Sequence, residues 1–123
     1  MRASVIDDSK AMRVILTQLL RELDFDVCDA CDGADAIAKL TSGGAVDLAL
    51  VDWNMPVMPG IDFVRAVRAN TRYSAMRIMM VTTESEIENV QQALAAGADE
   101  YVMKPFTRDI ILEKLGLLGI SRS

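Results

Sequence analysis

An α/β fold built on a doubly wound parallel five-stranded sheet is what the sequence predicts. Three observations carry the prediction: five short aliphatic runs, five amphipathic helical patterns alternating with them, and Gly, Pro or Asp at the junctions. The resulting (βα)5 order contains no long linker and no low-complexity stretch. Its 123 residues suit one hydrophobic core, so residues 1–123 are expected to form a single domain.

The first run, Ala3 to Ile6, is followed by Ser9, a residue suited to cap a helix whose apolar face is Met12, Ile15, Leu16, Leu19, Leu20 and Leu23. The second, Phe25 to Ala30, leads through Asp32-Gly33 into a short helix carrying Ala34, Ile37, Ala38 and Leu40, which Gly43-Gly44 ends. The third, Val46 to Val51, is aliphatic on both faces, as a central parallel strand must be, and stops at Asp52. A Pro-rich turn, Met55 to Gly60, precedes a helix around Phe63, Val64 and Val67, and the fourth run spans Ile78 to Val81. Ser85-Glu86-Ile87-Glu88 has the form of a capping box opening the fourth helix, which carries Val90 and Leu94 and closes at Gly97. The last run, Glu100 to Met103, leads to a helix capped by Thr107 with Ile110, Ile111, Leu115 and Leu118 inward.

Composition narrows the function. Net charge is -5, and no dense stretch of Lys or Arg supplies the phosphate-neutralising stripe that direct nucleic-acid binding requires. The apolar runs are too short to cross a bilayer and the start has no signal-peptide core, so a cytoplasmic location is expected. Cys28 and Cys31 stand in C-x-x-C spacing, but Cys28 lies in a strand-like run and Asp29 and Asp32 surround the thiols with negative charge, the opposite of what a reactive thiolate needs. Two thiols without histidine cannot complete a zinc shell either, so both are expected to be buried small apolar residues.

Strands joined by helical crossovers run parallel, and right-handed crossovers leave all their carboxyl ends on one edge. The residues that follow the runs are Asp7-Asp8 after the first, Asp52 after the third, Thr82-Thr83 after the fourth and Lys104-Pro105 after the fifth. Strands often stop at polar residues, and one such end would carry little weight; four together set three carboxylates against a lysine and a threonine. The carboxylates repel one another unless a cation sits among them, and so small a set of oxygen ligands suits octahedral Mg²⁺ with several retained waters. Asp7, Asp8 and Asp52 are the candidate metal ligands. A metal with open positions accepts phosphate oxygens, Lys104 adds a positive charge and Thr82 a hydrogen bond. Histidine is lacking from the chain and none of these strand ends offers serine or cysteine. A carboxylate is then the nucleophile, with Asp52 on the central strand the expected acceptor.

These motifs, Asp7-Asp8, the stretch from Asp52 through Trp53, Asn54 and Met55 to Pro56, Thr82-Thr83 and Lys104-Pro105-Phe106, resemble over the full length the signature of response-regulator receiver domains, most closely the single-domain chemotaxis (CheY-like) type. The resemblance implies a flavodoxin-like strand order, 2-1-3-4-5, for which flavodoxin and CheY itself serve as the standard examples. It implies a two-component phosphorelay response regulator, a switch with autocatalytic phosphotransfer and autodephosphorylation and no other enzymatic activity. A phospho-histidine kinase would donate the group to Asp52 in a Mg²⁺-dependent reaction. Asp8 would bind the ion directly, Asp7 through water, and Asn54 through its backbone carbonyl. Lys104, Thr82 and the backbone N–H of Thr83 would hold the phosphoryl oxygens, and the Lys104-Pro105 bond would be cis. Asn54 and Glu84 would border the path of the hydrolytic water and tune the lifetime of the phosphoryl group. Thr82 would move on phosphorylation and Tyr101 would change its burial, remodelling an output surface of Ile87, Val90, Tyr101 and Lys114 that a protein target reads, in chemotaxis-like signalling.

Other readings fit less well. A haloacid-dehalogenase-type phosphatase needs a second aspartate two residues after the first, where this chain has Asn54; a flavodoxin-like FMN carrier needs a first loop that welcomes phosphate, where this chain has Asp7 and Asp8. A receiver acting only as a phosphate sink or relay, with no output face, and a receiver belonging to a longer regulator are the alternatives closest to the expected one, a complete single-domain monomer.

Overall fold

A computed structural model describes residues 1–44, 46–53, 55, 57–83 and 89–120. Along the chain lie β1 (Arg2–Ile6), α1 (Lys10–Glu22), β2 (Asp26–Ala30), α2 (Gly33–Gly43), β3 (Leu48–Asp52), α3 (Gly60–Arg68), a 3-10 turn (Thr71–Tyr73), β4 (Arg77–Thr83), α4 (Val90–Ala96), β5 (Glu100–Lys104) and α5 (Arg108–Leu117). All strand pairs are parallel and the order is β2-β1-β3-β4-β5.

The two-residue period of a strand divides the core. Ile6, Ala49, Val51, Ile78 and Met80 face one side, where α2, α3 and α4 cover them with Ala36, Leu40, Phe63, Val64, Val67 and Ala93. Val5, Leu48, Leu50, Met79, Val81 and Val102 face the other, under Leu16, Leu19 and Leu20 of α1 and Ile111 and Leu115 of α5. Every residue of β3 is buried. Each fully buried aliphatic side chain contributes about 1.5–3 kcal/mol, so burial on both faces is what holds the central strand in place.

The helix starts follow from the predicted caps. Ser9 Oγ accepts from Met12 N at 3.3 Å, and Thr107 Oγ1 from Ile110 N at 3.2 Å. Asp32, which begins the junction read from the sequence, caps α2 by accepting from Asp35 N at 2.8 Å. Gly44 and Gly97 end α2 and α4 with φ of 90° and 122°, backbone that a residue with a Cβ adopts only at a cost. The capping box proposed at Ser85 to Glu88 lies outside the described residues.

Several helix faces differ from the pattern expected. Ile15, Leu94 and Ile110 are 51%, 40% and 39% exposed, and Ala34 and Ala38 are also outward. The buried line of α2 is Gly33, Ala36 and Leu40, at intervals of three and four residues that leave Ala34 and Ala38 off the line. Ile15 and Ile110 each stand one residue, about 100° of rotation, from a fully buried neighbour, Leu16 and Ile111. The cysteines differ too: Cys28 is half-buried with its thiol 3.6 Å from the Ala3 carbonyl, and Cys31 is exposed.

Candidate functional site

Register sets the site. Ile6 of β1 pairs with Val51 of β3, so the residues that follow them, Asp7 and Asp52, lie side by side at the carboxyl edge. Asp52 in turn pairs with Val81 of β4, which puts Thr82 one residue beyond it; Thr83 pairs with Lys104 of β5. Asp7, Asp52 and Thr82 are 1%, 6% and 1% exposed, while Asp8 is on the surface.

One oxygen from each of Asp7, Asp8 and Asp52 lies within 4.8 Å of the others. The Lys104 ammonium sits 3.5 Å from both Asp7 Oδ2 and Asp52 Oδ1, and the Lys104-Pro105 peptide bond is cis. Asp7 Oδ1 accepts the Ser9 backbone N–H at 2.9 Å, but its buried Oδ2 accepts no hydrogen bond among the described residues. At an effective dielectric of about 20, each carboxylate pair repels by at least about 3 kcal/mol and each contact with the lysine returns about 5 kcal/mol. Two such attractions about equal three such repulsions. The lysine thus does little more than cancel the mutual repulsion of the carboxylates, while the burial of Asp7 and Asp52 still costs desolvation. A divalent cation among these oxygens would supply the difference, and an all-oxygen donor set is the one Mg²⁺ takes; the residues present fit that ion.

Supporting residues hold the carboxylates in place. Arg13 of α1 donates to the Asp7 carbonyl at 2.7 Å and pairs with Asp29 at 3.1 Å, tying the end of β1 to β2. Gly60 opens α3 directly against Asp52: a Cβ there would come within 2.5 Å of the Asp52 carbonyl oxygen. Trp53 N–H donates to Val81 O and Trp53 O accepts from Gly60 N, so the backbone after Asp52 is held from both sides. Neither Arg13 nor Gly60 is marked in the sequence as a site residue. Arg13 is one basic residue among 13, and Gly60 has the look of an ordinary turn glycine after Pro59.

Of the residues read from the sequence, Asp7, Asp8, Asp52 and Lys104 come together, with Thr82 and Thr83 on the adjoining strand. Thr82 Oγ1 lies 3.3 Å from the Thr83 carbonyl, to which it donates. Asn54, Glu84 and Ile87 lie outside the described residues. Val90, expected on the output surface, is 7% exposed. Tyr101 is half-buried, with the Lys114 ammonium 4.5 Å from its ring centroid. Cys31 has its thiol pKa held up by partial desolvation and by the nearby Asp32 and Asp35 carboxylates, so it is no activated thiolate. Among the described residues no helix is long and apolar enough to cross a membrane.

Residues 3–116 match the sequence profile of the response regulator receiver domain. The chain is 42% identical over 116 residues to the chemotaxis protein CheY of Pseudomonas aeruginosa, covering 94% of this chain and 93% of that one. It is 41% identical to chemotaxis protein CheY1 of Helicobacter pylori, with 94% of each chain covered. The chemotaxis response regulator CheY4 of Vibrio cholerae superposes with a TM-score of 0.87 at 35% identity, over 95% of this chain and 97% of that one.

Proposed function

This chain belongs to the response regulator receiver domains, and from that premise we propose that it accepts a phosphoryl group on Asp52 and thereby switches its affinity for a protein partner. The observation that carries the reading is the crowding of Asp7, Asp8 and Asp52, with one lysine set against Asp7 and Asp52. A site with that balance of charge gains from a divalent ion and an incoming phosphate together.

Asp52 is the nucleophile. Its carboxylate oxygen forms the new P–O bond while the P–N bond to the donor imidazole breaks and the ring nitrogen leaves with the electron pair. The buried position of Asp52 fixes its direction of approach, and the backbone bonds around Trp53 keep it there. Lys104 shifts its charge from the carboxylates to the phosphoryl oxygens as these arrive. Thr82 and the Thr83 N–H add hydrogen bonds to the same oxygens. Asp7 and Asp8, with Asp52 and the carbonyl of Asn54, would hold Mg²⁺. When bound, that ion neutralises the carboxylates and the charge on the transferred group.

The phosphodonor is a phospho-histidine kinase, and the output face runs over α4, β5 and α5, where Lys114 stands over Tyr101; Ile87 is assigned to that face from the sequence alone. Asn54 and Glu84 tune how long the phosphoryl group survives. The biological setting we propose is chemotaxis-like signalling, which the relatives' names support, by a cytoplasmic monomeric switch.

The test is incubation with acetyl phosphate and Mg²⁺, followed by mass spectrometry. One added phosphoryl group is expected in the wild type and none in Asp52→Asn; equal incorporation in both would overturn the assignment. Chelation of Mg²⁺ should abolish incorporation in the wild type.

A further inference from the structure

β5 is an edge strand, and around its free side runs an arrangement that the phosphoryl chemistry does not use. Tyr101 packs, partly buried, against the core on the α4 side of the sheet. Lys114 belongs to α5, which covers the opposite side through Ile111 and Leu115. Its side chain nonetheless reaches round the edge: the ammonium lies over the Tyr101 ring, 4.5 Å from the centroid, and 3.3 Å from Glu100 Oε1. The same carboxylate oxygen accepts the Tyr101 backbone N–H at 3.0 Å. Glu100 therefore holds both the cation and the backbone of the ring that the cation covers.

The side chains of Lys114 and Glu100 are only 24% and 19% exposed, so solvent screens them less than it screens a surface pair. An ammonium over a ring face is attracted by the ring quadrupole, and its second contact with a carboxylate fixes where it stands. Any rotation of Tyr101 away from this position gives up the contact.

We propose that Glu100 and Lys114 form a clamp on the Tyr101 ring that sets the resting balance of the switch. The proposal rests on the reading of Tyr101 as the aromatic whose burial reports phosphorylation, and makes Glu100 and Lys114 positioning residues for it. Breaking the clamp frees the ring without any phosphoryl group, and the ratio of its two positions changes roughly fivefold.

The chain has two tyrosines, so protein labelled with 3-fluorotyrosine gives one ¹⁹F line for Tyr101 and one for Tyr73, which is 6% exposed and serves as an internal reference. Glu100→Gln and Lys114→Met are expected to move the Tyr101 line toward its position in the phosphorylated wild type, leaving the Tyr73 line in place. Lys114→Arg, which keeps the charge and can stack on the ring, should restore the wild-type position. A Tyr101 line unmoved in both Glu100→Gln and Lys114→Met overturns the clamp, and so does an equal displacement in Lys114→Arg and Lys114→Met. The underlying reading is tested separately: wild-type protein shown by mass spectrometry to carry the phosphoryl group, yet with an unmoved Tyr101 line, would overturn the switch role of the ring while the variants still decide whether it is clamped.

Discussion

Gly60 illustrates how a single position serves the candidate site through space alone. Its missing Cβ would sit 2.5 Å from the Asp52 carbonyl and 2.9 Å from Met80 Cε, and the first of these neighbours is backbone that cannot swing aside. Gly60→Ala must push α3 away from β3 or shift the acceptor. We expect a loss of about 1–3 kcal/mol in urea unfolding, together with slower phosphorylation by acetyl phosphate. Asp35 supplies a titration to check. The Cys31 backbone N–H, and after it Lys39, hold its carboxyl below the ordinary aspartate value. A lowered folded pKa means that its contribution is complete above the unfolded value, about pH 4, and disappears as pH falls through the folded one. Asp35→Asn should therefore cost stability at pH 7 and show a shallower acid loss than the wild type. Identical acid limbs in the two proteins would refute this.

Among the elements, the end of the sheet opposite the site depends on Arg68. From the last turn of α3 it donates to the Gly97 carbonyl at 2.9 Å, to the Tyr73 carbonyl at 3.1 Å and to Asp99 Oδ2 at 2.8 Å. Asp99 Oδ2 also accepts the Ile78 N–H at 2.8 Å. One guanidinium thus joins α3, the end of α4, the 3-10 turn and the loop before β5. Arg68→Ala removes these three hydrogen bonds and leaves the partly buried Asp99 charge without its guanidinium partner, which should cost about 2–4 kcal/mol by denaturant midpoint. Gly97 was legible as a helix stop, but its second constraint was not: a Cβ there would meet Arg68 Cγ at 2.5 Å. The outward Ile15 and Ile110 have a similar lesson. Periodicity locates an apolar stripe to within one residue, and packing against the neighbouring strand decides which edge of the stripe is covered.

At the scale of the whole molecule, the ends of β1 and β3 bring three like charges to one edge, and folding works against that repulsion. Asp8 is the exposed member of the group, with no contact to Lys104 as close as those of Asp7 and Asp52. Asp8→Asn should therefore stabilise the Mg²⁺-free protein, by about 1 kcal/mol once solvent screening is allowed for. With Mg²⁺ at 100 times its dissociation constant the wild type should gain about 2.7 kcal/mol and the variant much less, so the order of stability reverses. Urea unfolding with and without Mg²⁺ measures both halves of this prediction; a variant that gains as much as the wild type would remove Asp8 from the ligand set.

Alternating aliphatic runs and helical stripes determined the fold class and strand direction, because the periods of 2 and 3.6 are local properties of the chain. The polar residue after each run was equally local, which is why Asp7, Asp8, Asp52, Thr82 and Lys104 could be named in advance. Only the tertiary structure decided what depends on contacts distant in sequence: the buried Asp7 oxygen beside Lys104, the Arg13 bond to the Asp7 carbonyl, the burial of Val90 and the Glu100–Lys114–Tyr101 arrangement. Nothing in the sequence around Glu100 distinguishes a carboxylate that grips a lysine 14 residues away from one that faces water. The distinction arises from the direction in which α5 returns over the edge of the sheet.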